Sequence, residues 1–192
     1  MRSAITIIKD EHRSLAAVLQ GLLFLIEEIR QARARPDFKL IEAMLRYIER
    51  FPERLHHPKE DQFLYRLLRS RDSSLAPLLD DLEAEHERGR PLVTHLLESA
   101  CRYEKEGAPA FAPFADEMAD YCRFQWAHMK KEEEGILPRA ESVLTAEDWR
   151  EIDAAFQSNE DPIGGANAGQ EFRDLFRKIV TLAPPPIGVG PG

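Results

Sequence analysis

The sequence predicts an all-α protein, an up-down-up-down four-helix bundle with a short helical extension at its C-terminal end. Apolar residues recur at steps of three and four along four long stretches, which is the period of a helix with one buried face. The stretches are joined by short connections, which places successive helices side by side and antiparallel. No segment alternates apolar and polar residues as a half-buried strand would.

In the first helix, Ile5, Ile8, His12, Leu15, Leu19, Leu22 and Ile26 share one face, and the helix should end before Pro36. The second begins near Asp37 with Leu40, Ile41, Met44, Leu45 and Ile48 and resumes as Phe63, Leu64, Leu67 and Leu68. Pro52 and Pro58 lie between the two halves. Each removes a backbone donor at a cost of about 3 kcal/mol in a regular helix, so a kink is expected. Ser73-Ser74 offers an N-cap for the third helix, Pro77 is tolerated in its first turn, and Leu79, Leu82, His86, Val93, Leu96 and Ala100 form its stripe, with a bend at Pro91. The fourth follows Gly107, carries Phe114, Met118, Tyr121, Gln125, His128 and Glu132, and is expected to stop at Gly135 and Pro138.

This places the bundle at residues 1–139 and the extension at 140–192. In the extension, Thr145 and Asp148 have the spacing of a capping box that opens a short helix through Phe156. A Gly- and Asn-rich loop and a second amphipathic helix with Phe172, Leu175, Phe176, Ile179 and Val180 should follow, the latter bracing the bundle before a loose Pro/Gly tail.

With 192 residues, 43% of them hydrophobic, the chain suits one compact unit with a sizeable core. The formal charge of −8 has the wrong sign for a general phosphate-binding surface, so no nucleic-acid partner is expected. The apolar run Leu22 to Ile26 falls far short of the ~20 residues of a membrane span, and no secretory-type apolar region follows Met1. A cytoplasmic location without a membrane partner is expected. Cys101 and Cys122 lack metal or redox spacing and are expected to be buried thiols.

The six histidines carry the chemistry. His12, His86 and His128 interrupt the apolar stripes of helices one, three and four, and His56 or His57 lies on helix two, so each long helix contributes an inward imidazole. Burying several imidazoles without partners would cost about 1 to 3 kcal/mol each. Glu60 is four residues after His56 and Glu132 four after His128, and residues i and i+4 share a helix face. Such a pair can offer a nitrogen and an oxygen to one ion, a donor set suited to iron, manganese or zinc. His57 and Asp61 form a competing pair about 100° around the helix. We expect His56 and Glu60 to face inward, in line with Phe63 and Leu67, which leaves His57 behind the ligands or at the surface. Glu83 and Glu133 are further candidate donors, and His95 should lie outside the site.

These residues resemble the hemerythrin-like HHE cation-binding family: Asp10-Glu11-His12, His56-His57-Pro58-Lys59-Glu60-Asp61, Glu85-His86, and His128-Met129-Lys130-Lys131-Glu132 with Leu137-Pro138 match in order and spacing over about residues 3 to 139. The resemblance implies two iron ions in a non-haem centre, with an oxygen bridge, held by His12, His56, Glu60, His86, His128 and Glu132. Oxygen-carrying members have a second histidine one turn after the helix-three ligand, where this chain has Arg90. The expectation is therefore a protein that binds or reacts with a small oxidant (oxygen, peroxide or nitric oxide), with peroxide or nitric oxide favoured over reversible oxygen storage, and with an unspecified redox partner. An iron or oxygen sensor, or an iron-handling module resembling iron–sulphur repair proteins, is the alternative. A ferritin-like oxidase fits less well, because that class pairs Glu-x-x-His at i,i+3.

Overall fold

The computed structural model describes residues 3–158; the amphipathic helix expected near residues 172–180 and the tail lie outside them. Among the described residues the structure is helical throughout its regular elements, and no helix is long and apolar enough to cross a membrane. Four rods form the bundle. The first is Ala4–Arg30, capped by Ser3, whose side chain accepts from the Thr6 amide. The second runs over residues 38–71, starting with Phe38–Arg50 behind an Asp37 cap and ending with Arg66–Arg71. The third is the helix Ala76–Glu106, closed by Gly107 in a left-handed conformation (φ 71°) that favours glycine. The fourth begins with Ala108–Lys131.

Where the sequence predicts a kink, the second rod changes helical register. Pro52–His56 and Glu60–Tyr65 are π-helical, with His57–Lys59 between them, and the rod continues through both prolines. A π turn bonds residue i to i−5, as in the 3.1 Å bond from the His56 amide to the Phe51 carbonyl. Pro58 has no N–H to give, and the Glu53 carbonyl accepts instead from Arg90 Nη2 at 3.2 Å. The fourth rod behaves alike. Gly135 and Pro138 do not stop it: Glu132–Ile136 is π-helical and Leu137–Val143 carries the rod on, with Pro138 in the first turn, where a missing donor is tolerated.

Two apolar clusters fill the bundle, and a polar layer separates them. One cluster joins Leu15, Leu19 and Leu22 to Leu45, Val93, Phe114 and Cys122. The other joins Ala4 and Ile8 to Leu64, Leu68, Leu79, Leu82, Ile136 and Ile152. Each rod passes from one cluster to the other in the opposite sense to its neighbour, which is the up-down-up-down order. Trp126 packs against the first cluster and Trp149 against the second.

The helix Ala146–Gln157 opens with the expected capping box between Thr145 and Asp148. Its buried Ile152 and Phe156 close the second cluster. Arg71 grips Asp148 with two hydrogen bonds of 2.8 and 2.9 Å, Lys59 Nζ donates to the Ala155 carbonyl at 3.0 Å, and the Ala4 amide donates to Asp153 at 2.7 Å. The cysteines depart from expectation: Cys122 is buried, its thiol pushed up to about 12 by burial, but Cys101 is exposed.

Candidate metal centre

The polar layer contains Glu11, His12, Glu53, His56, His57, Glu60, His86, Gln125, His128 and Glu132, all buried. All six side chains nominated from the sequence point into it. His12 Nε2 stands 3.3 Å from both Glu132 Oε2 and His56 Nε2, and His56 Nε2 is 3.3 Å from Glu60 Oε1. Across the layer, His86 Nε2 is 3.0 Å from His128 Nε2, 3.7 Å from Glu60 Oε2 and 3.8 Å from Glu132 Oε1. Glu60 and Glu132 therefore face both histidine groups.

His57 joins them, contrary to the expectation that it would lie behind the ligands or at the surface. It is buried and stacks on His86, with ring centroids 4.2 Å apart. The cause is the π-helical register. An extra residue per turn at Pro52–His56 lets two consecutive histidines face the same interior, so His56 and His57 are not alternatives. His57 brings a fifth imidazole into the buried layer of a chain that has Arg90 one turn after His86.

Four of the five histidines of the layer are hydrogen-bonded to a carboxylate at Nδ1. His12 pairs with Glu133 at 3.0 Å, His56 with Glu11 at 2.6 Å, His86 with Asp61 at 2.7 Å and His128 with Glu85 at 3.0 Å, while Glu53 lies 3.5 Å from His57 Nδ1. A proton held on Nδ1 leaves the Nε2 lone pair free for a cation, and a carboxylate there fixes the tautomer and ring angle. Asp61 and Glu133 thus stand behind His86 and His12. Glu83 pairs with Arg69, and His95 with Glu117, both away from the layer.

The layer is electrostatically unfinished. Both oxygens of Glu60, Glu132 Oε2, Glu53 Oε2 and His57 Nδ1 are buried without a hydrogen-bond partner. Such groups cost about 1–3 kcal/mol each when left so. Burial opposes charge on His12, but Glu132 and Glu133 outweigh it and lift its pKa to about 9; at His86, Asp61 and Glu132 likewise overcome burial and lift it to about 10. Burial, together with the charges of His86 and His128, holds His57 well below the imidazole range. Burial also drives Glu53 up to about 7, against the hydrogen bond from Tyr121. The Tyr65 hydroxyl donates to Glu132 Oε1 and fixes that carboxylate.

The spacing fits metal ions. Two donors bound at about 2.0–2.2 Å and at right angles stand roughly 3 Å apart. Two groups qualify: in His57, Glu60, His86 and His128, and in His12, His56 and Glu60, one donor atom per residue lies within 4.8 Å of every other. Sequence reasoning did not single out Glu53 or Tyr65 and weighed His57 only as an alternative to His56. For Glu53 a signal was present, since Glu53 and His57 repeat the i,i+4 carboxylate–histidine spacing.

Twenty-five per cent identity over 158 residues relates the chain to an uncharacterized protein of Mycobacterium bovis and to uncharacterized proteins of two Mycobacterium tuberculosis strains. The match covers 81% of this chain and 62% of each relative, so the chain spans less than two thirds of their length. A family model, the Hemerythrin HHE cation binding domain, matches residues 3–140, the stretch that holds every histidine and carboxylate of the layer. With helical order, donor spacing and family match in agreement, the chain belongs to the hemerythrin HHE cation-binding family.

Proposed function

We propose that the polar layer holds two iron ions and that the protein binds or reacts with a small oxidant there: oxygen, peroxide or nitric oxide. The observation that carries this reading is the convergence of five buried imidazoles, four of them hydrogen-bonded to a carboxylate at Nδ1, on Glu60, neither of whose oxygens has a hydrogen-bond partner, and on Glu132, whose Oε2 has none. His12 and His56 would hold one ion and His57, His86 and His128 the other, with Glu60 common to both groups and Glu132 facing both. Bound iron supplies one-electron chemistry and exchangeable positions for a small ligand. The protein's part is to orient and to exclude. Glu11, Asp61, Glu85 and Glu133 hold the Nδ1 protons, Tyr65 steadies Glu132, and Ile8, Leu64, Leu82 and Ile136 keep bulk water from one side.

The two-imidazole half has one nitrogen donor fewer, which makes it the place for an exchangeable ligand. Because His12 and His86 bind protons tightly, an arriving cation must displace them, so metal occupancy should rise with pH. The test is anaerobic loading with ferrous iron, iron counting and optical titration with azide, peroxide and nitric oxide. About two irons per chain and a spectral change with azide are expected. A chain that retains no iron, or iron blind to all three ligands, overturns the reading.

A sensing role is the second reading. It is favoured by Phe156, which meets His56 edge-on at 6.1 Å and so ties the centre to the C-terminal helix. Sustained consumption of peroxide or nitric oxide would speak against it.

A further inference from the structure

A pocket of about 270 Å³ opens beside the three-imidazole half, lined by Glu53, His57, Asp61, His86, Glu87 and Arg90 together with two prolines. Its lining grades from exposed Glu87 and Arg90 through half-buried Asp61 to buried Glu53, His57 and His86. Three of the four non-histidine charges are carboxylates, and the one cation, Arg90, is turned to the Glu53 carbonyl.

At the inner end, Glu53 is 2% exposed. Tyr121 and Gln125 donate to its Oε1 at 3.1 Å each, while Oε2 has no hydrogen-bond partner and lies 3.5 Å from His57 Nδ1. Room for this carboxylate is reserved by Gly89, where a Cβ would lie 2.6 and 2.7 Å from the two Glu53 oxygens. Holding a buried acid so, with one oxygen spare, serves no packing purpose.

We propose that this pocket is the port through which a divalent cation reaches the buried centre: Glu87 and Asp61 draw it from solvent, and Glu53 receives it before His57 and His86. The proposal rests on the metal-binding reading above. A cation fits better than the oxidant, because carboxylates line the pocket from its exposed rim to its buried end and the pocket abuts the half richer in nitrogen donors, where no exchangeable position is expected. Carboxylates at the rim of a pocket raise the local cation concentration and the entry rate, and salt weakens the effect.

The test is stopped-flow mixing of the metal-free protein with Co(II), following its visible absorption, and metal counting at the end point. Glu87→Gln removes one rim charge and touches no histidine. It should slow loading about threefold and flatten the dependence on ionic strength, with the final cobalt content unchanged. Glu53→Gln should slow loading about tenfold. Glu98→Gln, an equal loss of charge farther along the same rod, should load at the parent rate.

Parent rates in Glu87→Gln and Glu53→Gln, or equal slowing in Glu98→Gln, overturn the port while leaving the centre intact. A parent protein that binds no cobalt overturns the centre and the port with it.

Discussion

On one side the polar layer meets the ring of Phe156 against His56; on the other, His57 and His86 border an acidic pocket of about 270 Å³. The first side is closed by burial: Phe156 sits with Ile152 in an apolar cluster, and Arg71, Lys59 and the Ala4 amide pin its helix to the bundle. The second side is bounded by charge, and His86 is the most exposed of the five central histidines at 8%. The difference teaches that one buried donor set can be closed by apolar packing on one side and bordered by charged side chains on the other. The seal comes from a helix outside the four rods, whereas the opening lies between rods two and three.

The largest effect should come from cutting what the two halves share. Glu60→Ala should leave the purified protein with almost no metal, while His57→Ala should keep roughly half, held by His12 and His56. Elemental analysis checks this, and full metal content in His57→Ala would remove His57 from the donor set.

Next in size is the seal. Phe156→Ala empties a fully buried site and should cost about 3–5 kcal/mol in urea denaturation. A loss under 1 kcal/mol would show that the C-terminal helix does not close that side.

A smaller effect belongs to the anchor of the same helix. Hydrogen bonding from Arg71 holds the Asp148 carboxyl below its ordinary range, aided by Thr145. A depressed folded-state pKa stabilises the protein above the unfolded value of about 3.9 and ceases to do so as pH falls through the lower folded value. Asp148→Ala should therefore cost about 1–2 kcal/mol near pH 7, and the gap from the parent should narrow below about pH 4. Melting curves across pH test it; a constant gap would assign the effect to packing instead.

The smallest change is expected at His95, exposed and 3.3 Å from Glu117. His95→Ala should keep the parent metal content and alter stability by less than about 0.5 kcal/mol. Metal loss there would mean that any histidine change disturbs the centre.

Helical periodicity made the four rods legible, because an apolar stripe at steps of three and four has few alternatives once the connections are short. The spacing of His56 to Glu60 and of His128 to Glu132 picked out two pairs that the fold buries in one polar layer. Periodicity misread the choice between His56 and His57, since it assumes 3.6 residues per turn and the second rod abandons that value at Pro52–His56 and Glu60–Tyr65. Pro52 opens the first π turn, and Pro58 lies in the short α segment between the two. Glycine and proline, taken as stop signals, ended the fourth rod too early at Gly135 and Pro138.

Local pattern alone therefore determines the helices, their buried faces and the kinds of donor each carries, because those depend on neighbours three and four residues away. Packing of the rods decides which carboxylate backs which ring. Glu11 serves His56 and Glu85 serves His128, so the acid that precedes a histidine in the chain supports a histidine on another rod. Packing also places Phe156 over one half of the layer and Glu53 beneath Gly89 at the other. Those contacts span from 36 to 100 residues of chain and depend on how the rods are rotated against one another, which no local period encodes.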